Sequence, residues 1–293
     1  VQDIFVRMRR QLSSLSKAER RVAEAVLDDP ALATRSTITR LAAACGTSGA
    51  TVARLCRSMG FRGYPEFRLA IASAVSRDEA SREHFRIDDA DIGSDDSARE
   101  VVTKVAYRGA KSVEDTARHL DVAALDAAAR ALGDARRIEI YGVGQSGVAA
   151  LDLEQKLQRI GCPAWSTADP HRALTRVAQA GAGDVFVGIS HSGETPETRE
   201  VIALAREHGA TTLAITNVPR SPVGRAAELV LATSASESVY RMMSSGIAQL
   251  AVVDFLMARL LQRAYPDASE SLEGAYRALR RHNAREATGA DDD

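Results

Sequence analysis

Cysteine is scarce: only Cys45, Cys56 and Cys162 occur in 293 residues. They stand far apart with no metal-ligand spacing, so no metal centre is expected and the thiols read as reduced, buried small hydrophobes. Long apolar runs are missing as well. None reaches the ~18 residues a membrane span needs. The opening Val1-Gln2-Asp3-Ile4-Phe5-Val6-Arg7 has no basic-then-apolar signal pattern. The expectation is a cytoplasmic chain with no membrane partner. No Gly-Lys-Ser or Gly-Lys-Thr occurs, which excludes a P-loop. Net charge is also nearly absent, at −1, but this hides a split. Residues 1–77 carry 13 Lys+Arg against 6 Asp+Glu, net +7, and the other 216 residues carry 25 against 33, net −8. A basic quarter joined to an acidic remainder suits an arm for a polyanion and a body for another partner.

What is present is ordinary globular material, 45% hydrophobic and 26% charged, long enough for two domains with separate cores. Near the start, Ile4, Met8, Leu12 and Leu15 recur at helical spacing. Ser16-Lys17-Ala18-Glu19 is a capping-box pattern opening a second helix that stops at Asp28-Asp29-Pro30. A short helical piece follows around Ala31-Leu32-Ala33. Thr37–Gly46 and Ser48–Gly60 then read as two short helices, each ended by glycine, with a tight turn between them. The second is apolar at Val52, Leu55 and Met59 and polar elsewhere. This is the layout of a helix-turn-helix. Thr47, Ser48 and Thr51 stand where they can reach phosphates or base edges, Arg54 and Arg57 share a face, and Lys17 adds a cation at the start of the second helix. A small protein-binding helical bundle is the alternative. Residues 78–100 are acidic and lose periodicity, as a linker would.

Farther on, five apolar runs read as strands: 138–141, 164–167, 185–190, 212–216 and 229–232. They alternate with helices near 147–160, 170–180 and 196–208, which predicts a parallel sheet flanked by helices with ligands at the strands' carboxyl ends. Two polar loops fall at such ends. Tyr141-Gly142-Val143-Gly144-Gln145-Ser146-Gly147 follows the first strand, and Ser190-His191-Ser192-Gly193-Glu194-Thr195 follows the third. Neither holds a Lys or Arg. An anion there would be met by hydroxyls, backbone N–H groups and helix ends. A dinucleotide fold is the competing reading of the first loop, but no acidic residue closes the next strand candidate. In the second loop three hydroxyls exceed what capping requires, since one Ser or Thr, here Thr195, could cap the helix that follows. The run Ile247–Leu261 is a helix apolar over most of its circumference, and it must be buried within the domain or between subunits. The Gly- and Asp-rich end, 287–293, is expected to be a disordered tail.

The paired Gly-x-Gly-x-Ser and Ser-x-Ser-Gly-x-Thr loops resemble those of the sugar isomerase (SIS) fold, a phosphosugar-binding domain. Ala-Glu-Arg in helix two, Thr-Val-x-Arg-x-Cys-Arg in the recognition helix and Gly-Phe-x-Gly-Tyr-x-Glu-Phe-Arg at 60–68 look like the RpiR family of bacterial transcription regulators. Gly49 departs from that family, which usually has a polar residue there, and Leu55 departs where Phe is usual. The resemblance implies a helix-turn-helix domain (1–77), an acidic linker (78–100), an α/β SIS domain with a five-stranded parallel sheet (101–286) and the tail. It implies that Ser146, Ser190, Ser192 and Thr195 hold a phosphate with backbone help from Gly144, His191 and Gly193, while His191, Glu194 and Glu237 are candidates for the sugar hydroxyls. The implied function is a regulator of carbohydrate metabolism that binds a double-stranded DNA operator through Lys17, Thr47, Ser48, Thr51, Arg54 and Arg57. It would sense a sugar phosphate or phosphorylated sugar acid, need no cofactor or catalytic residue, and act as a homodimer or dimer of dimers. SIS domains also occur in aldose–ketose isomerases, so a phosphosugar isomerase is the alternative, with Glu237 and His191 as the groups that could serve. A third class, a protein-binding adaptor, would have no salt-dependent DNA affinity.

Overall fold

A computed structural model describes residues 4–87, 91–235 and 241–263, with 274, 277 and 280. They fall into two compact units, one running through His119 and the other beginning at Leu120.

The first unit is helical: α1 (Ile4–Gln11), α2 (Lys17–Asp28), α3 (Pro30–Arg35), α4 (Ile38–Ala44), α5 (Gly49–Ser58), α6 (Tyr64–Phe85) and α7 (Ala98–His119). Short-range chemistry sets most boundaries. Ser16 and Glu19 form the expected capping box on α2, and Asp29, Thr37 and Ser48 cap α3, α4 and α5 through their side chains. Each such cap satisfies a first-turn N–H that the helix cannot. At the end of α4, Gly46 takes φ +58°. Its N–H reaches the carbonyl of Ala43 at 3.1 Å, and that of Thr47 reaches Ala42 at 2.9 Å. This left-handed closure turns the chain straight into α5, and a residue with a Cβ would be strained there.

Met8, Val22, Val26, Leu41, Val52, Leu55, Met59, Phe67 and Ile71 make one buried cluster. The Gly-Phe-x-Gly-Tyr-x-Glu-Phe-Arg segment is a structural joint in it. The edge of Phe61 meets Phe67 with 5.7 Å between ring centroids, and the guanidinium of Arg7 lies 4.6 Å over the Phe61 ring. The hydroxyl of Tyr64 lies 2.9 Å from the carbonyl of Ala33 and 3.0 Å from that of Ser36, tying α6 to α3 and to the start of α4.

Two features depart from the expected domain outline. Residues 78–85 continue α6, because Asp78 is held by Arg82 one turn on and by Tyr107 and Lys111 of α7. Residues 101–119, expected in the second domain, lie in α7 and group with the first unit. The run of aspartates after residue 87 hides that pairing in sequence. At least two of its members bind cations of α7: Asp91 with Arg108 and Asp96 with Lys104.

The second unit is a three-layer α/β/α sandwich. Its elements are α8 (Val122–Gly133), β1 (Arg137–Gly142), α9 (Gln145–Arg159), β2 (Ala164–Thr167), α10 (Pro170–Val177), β3 (Asp184–Ile189), α11 (Pro196–Glu207), β4 (Thr211–Thr216), α12 (Pro222–Ala226), β5 (Leu229–Ala232) and α13 (Arg241–Arg263). The five strands pair in parallel in the order β2-β1-β3-β4-β5. Side chains alternate along each strand. Ile138, Ile140, Val185, Val187, Ile189, Leu213 and Ile215 therefore meet α8, α9 and α13 on one face, while Tyr141, Phe186 and Ala214 meet α10, α11 and α12 on the other.

The apolar helix expected at 247–261 lies in α13. Val252, Val253, Leu256, Met257 and Leu260 fill the first of these cores, so its placement is within the domain. At the base of β3, Asp184 is fully buried and bound by Arg136, Arg137 and the N–H of Gly181. Burial would raise its pKa, but the hydrogen bonds and charges of the two arginines bring it below the ordinary carboxylate value. Among the described residues no helix is long and apolar enough to cross a membrane. The expected tail, 287–293, lies outside the described residues.

Candidate functional site

The order of strands decides where a ligand can sit. From β1 the chain crosses to β2 on one side, and from β3 it crosses to β4 on the other, so a crevice opens between the carboxyl ends of β1 and β3. Such a switch point is where open parallel sheets bind ligands. The register places Gly142 beside Ile189, so both polar loops leave the sheet side by side.

In the first loop Gly144 is the N-cap of α9 with φ +58° and ψ −128°, a conformation that needs glycine, and no side chain caps the helix. Ser146 is buried, 8% exposed, and its Oγ accepts from Nε2 of Gln249 on α13 at 3.0 Å. Gln249 escaped the sequence reading. Its signal was one amide within the apolar stretch Ile247–Val253.

The second loop is largely self-braced. Ser190, 2% exposed, has Oγ 2.9 Å from Thr195 Oγ1 and accepts from the N–H of Gly193 at 3.1 Å. The exposed Ser192 accepts from the N–H of Glu194 at 3.2 Å. Gly193, with φ +68°, lies so close to Ser221 that an added Cβ would sit 1.9 Å from its Oγ. The backbone carbonyl of His191 accepts from the N–H of Asn217 at 3.0 Å.

One expectation is corrected here. Thr195 is the N-cap of α11 but makes no side-chain capping bond, because its hydroxyl is turned to Ser190. Both Ser190 and Ser146 are buried. The other short helices of this unit, α8, α10 and α12, are capped by Asp121, Asp169 and Ser221. Among the helices of this unit whose caps are described, the two that follow β1 and β3 are the ones left without a side-chain acceptor at the cap. An uncapped helix start with glycine and hydroxyls around it is complementary to an anion. Nothing in either loop carries positive charge, so the complementarity is dipolar.

Beside the second loop, Tyr141 is buried with no hydrogen-bond partner for its hydroxyl among the described residues. Burial, with the charges of Glu197 and Asp169, pushes its pKa up and keeps it neutral. Glu237 lies outside the described residues. Among the described residues no cluster of His, Cys, Asp or Glu could hold a metal ion.

In the helical unit, Lys17 is exposed at the first position of α2 and Thr47 is partly exposed in the turn before α5. Ser48 is the N-cap of α5, accepting from the N–H of Thr51. Arg54 and Arg57 are both exposed, three positions apart on α5. Thr51 differs from expectation: it is 4% exposed, and its Oγ1 accepts from Nη2 of Arg54 at 2.9 Å. It faces inward because it follows Ser48 by one turn and Val52 and Leu55 pull that side of α5 into the core.

An α-helical helix-turn-helix unit followed by a doubly wound α/β unit with a crevice between β1 and β3 defines a two-part class: a nucleic-acid-reading module joined to a sugar-isomerase-type module. Residues 3–78 match the helix-turn-helix domain of the rpiR family, and residues 131–259 match the SIS domain. An HTH-type transcriptional regulator of Caldanaerobacter subterraneus subsp. tengcongensis is 36% identical over 279 residues, covering 94% of this chain and 97% of the relative. The regulator HexR of Pseudomonas aeruginosa is 35% identical, covering 87% and 88%. Among solved structures, the Vibrio vulnificus NanR protein complexed with ManNAc-6P is 29% identical with a TM-score of 0.59, covering 94% of this chain and 97% of that one. The chain belongs to the RpiR family of HTH-type transcriptional regulators that carry an SIS domain.

Proposed function

We propose that the crevice between β1 and β3 binds the phosphate of a phosphorylated sugar or sugar acid, and that the occupied crevice alters how the α4–α5 module binds an operator. One observation carries the reading: the helices following β1 and β3 both begin without a side-chain cap, amid glycines and the hydroxyls of Ser146, Ser190, Ser192 and Thr195. The NanR complex adds support, since that relative holds a phosphorylated amino sugar. Gly144, His191 and Gly193 contribute backbone groups, and Glu237 is a candidate for the sugar hydroxyls. On the DNA side Arg54 and Arg57 reach into the groove, Ser48 caps α5, Thr51 steers Arg54, and Lys17 and Thr47 face the phosphates. DNA binding falls within residues 1–77 and ligand sensing in the unit that begins at Leu120, so residues 101–119 go with the helical unit.

We assign no catalytic residue, and the chain works as a sensor rather than an isomerase. It acts in the cytoplasm as a homodimer or dimer of dimers, because one recognition helix reads too few base pairs for a specific site. The exposed apolar residues Val143, just before α9, and Val148 and Leu151, within it, suit a subunit contact.

The test is a thermal-shift panel of sugar phosphates, ManNAc-6P included, followed by DNA titration with and without the stabilising compound at one fixed salt concentration. A compound at 100 times its Kd stabilises by about 2.7 kcal/mol. Interconversion of any panel member by the protein would overturn the sensor assignment. No stabilisation by any phosphorylated sugar would overturn the ligand class.

A further inference from the structure

We propose that Gln249 is a positioning residue for the anion site: it aims the Ser146 hydroxyl proton into the β1/β3 crevice. The proposal rests on the reading that this crevice holds the phosphate. A serine hydroxyl has one proton to give and two lone pairs to receive with. In the structure Ser146 Oγ receives from Nε2 of Gln249 at 3.0 Å. That interaction uses a lone pair and leaves the proton for another acceptor, and an anion in the crevice is such an acceptor. With the amide turned over, its oxygen would take the Ser146 proton, and the site would lose a donor.

Among the described residues the amide bonds the Ser146 hydroxyl. Gln249 is 1% exposed in the middle of an apolar helix. Its Oε1 has no hydrogen-bond partner among the described residues. A buried amide oxygen left unpaired is costly, and a fold retains one where the group has a task. One turn earlier on α13, Gly246 is packed so tightly on Gln145 that an added Cβ would come within 2.4 Å of Nε2 of that residue. Thus α13 touches the phosphate-type loop at two successive residues, Gln145 and Ser146, and holds Gln249 in register with the second.

The experiment replaces Gln249→Glu and Gln249→Met in the full chain and titrates each with inorganic phosphate, following the backbone amide signal of Ser146 by NMR at pH 8 and pH 5.5. In Gln249→Glu the ionised carboxylate can only accept, so it takes the Ser146 proton and sets a negative charge beside the site. Affinity should fall about tenfold or more at pH 8. Burial raises the pKa of the new carboxyl, and once protonated it donates to Ser146 as the amide did. The deficit relative to the parent should therefore shrink at pH 5.5. Other charges on the packed faces of α13, namely Asp254 with Lys156 and Asp152 of α9, and Arg259 with Asp126 of α8, are common to parent and variants and cancel in the ratio. Phosphate passes from dianion to monoanion between these pH values, which by itself lessens repulsion from an ionised carboxylate, so the same titrations are run with sulfate, a dianion at both, and the shrinking deficit must appear there too. Gln249→Met, which fills the same space without a donor, should bind several-fold more weakly, with a ratio to the parent that is the same at both pH values. Parental affinity in both variants, or an equal deficit for Gln249→Glu at both pH values, would overturn the positioning role. A parent chain whose Ser146 signal ignores phosphate would instead sink the phosphate-site reading, a distinguishable failure that takes this proposal with it.

Discussion

The two units meet an anion in opposite ways. On α5 the candidate contacts are long cationic side chains that stand in solvent, Arg54 and Arg57, over a core the unit closes without them. In the β1/β3 crevice the candidate contacts are helix starts and hydroxyls that, Ser192 apart, are buried or half-buried, with no cation in either loop. The difference follows from the ligands proposed. A duplex is a long array of phosphates whose condensed counterions are released by mobile cations, so net charge does most of the binding. A single phosphate on a small sugar is a compact anion that must be distinguished from others, and oriented dipoles do that better than a flexible ammonium.

The largest test of this contrast is salt. DNA affinity should fall by about three orders of magnitude or more between 50 and 200 mM salt if six or more phosphates are contacted. Sugar phosphate affinity should change only a few-fold, because the crevice is lined by dipoles rather than released ions. Parallel slopes in fluorescence and calorimetric titrations would erase the distinction.

Next in size is Ser190→Ala. Loss of a hydroxyl donor to a charged acceptor should weaken the sugar phosphate about ten- to hundredfold. Since Ser190 Oγ also braces Thr195 and Gly193, the variant should also lose about 1 kcal/mol of stability. DNA affinity without ligand should remain parental. An unchanged ligand titration would place the phosphate elsewhere.

A smaller effect sharpens the comparison from the acid side. Burial opposes ionisation of Asp78, yet hydrogen bonds from Tyr107 and Lys111 and the charges of Lys111 and Arg82 bring its pKa below the ordinary value. The folded-state pKa is therefore below the unfolded one, near 3.9. The stabilisation is complete above about pH 4 and is lost as pH falls through the folded value. Asp78→Asn should cost about 1 kcal/mol at pH 7, and the gap to the parent should close below pH 4 in urea melts. A gap that persists in acid would mean the carboxylate's charge is not what holds α6 to α7.

The smallest change should be favourable. An added Cβ at Gly49 meets nothing within 4 Å, and φ there is not positive, so Gly49→Ala should stabilise α5 by up to about 0.5–1 kcal/mol. A lower melting temperature would contradict the open geometry.

Much of the outline was legible before any coordinates. The capping box at Ser16 and Glu19 and the glycine stops at Gly46 and Gly60 are local chemistry, readable because a cap involves residues three or four apart. The five strands and both loops were visible because parallel strands buried on two faces leave apolar runs that end in polar loops. The 22-residue extent of α6 was missed, since its charged second half breaks the apolar periodicity that signals a helix. The inward turn of Thr51, the coupling of Thr195 to Ser190 and the role of Asp78 depend on partners that propensity does not register.

By itself, then, the sequence determined the class: a basic helix-turn-helix, an α/β unit with two hydroxyl-rich loops, and an apolar helix that had to be buried. These follow from periodicity, capping and composition, which act over a few residues. Only the tertiary structure decided that the loops meet at one crevice, which needs the strand order β2-β1-β3-β4-β5. It also decided that α7 belongs with the first unit and that Gln249, 103 positions along the chain from Ser146, reaches its hydroxyl. Sequence separation carries no information about such contacts, because the packing of the whole sandwich is what brings α13 against α9.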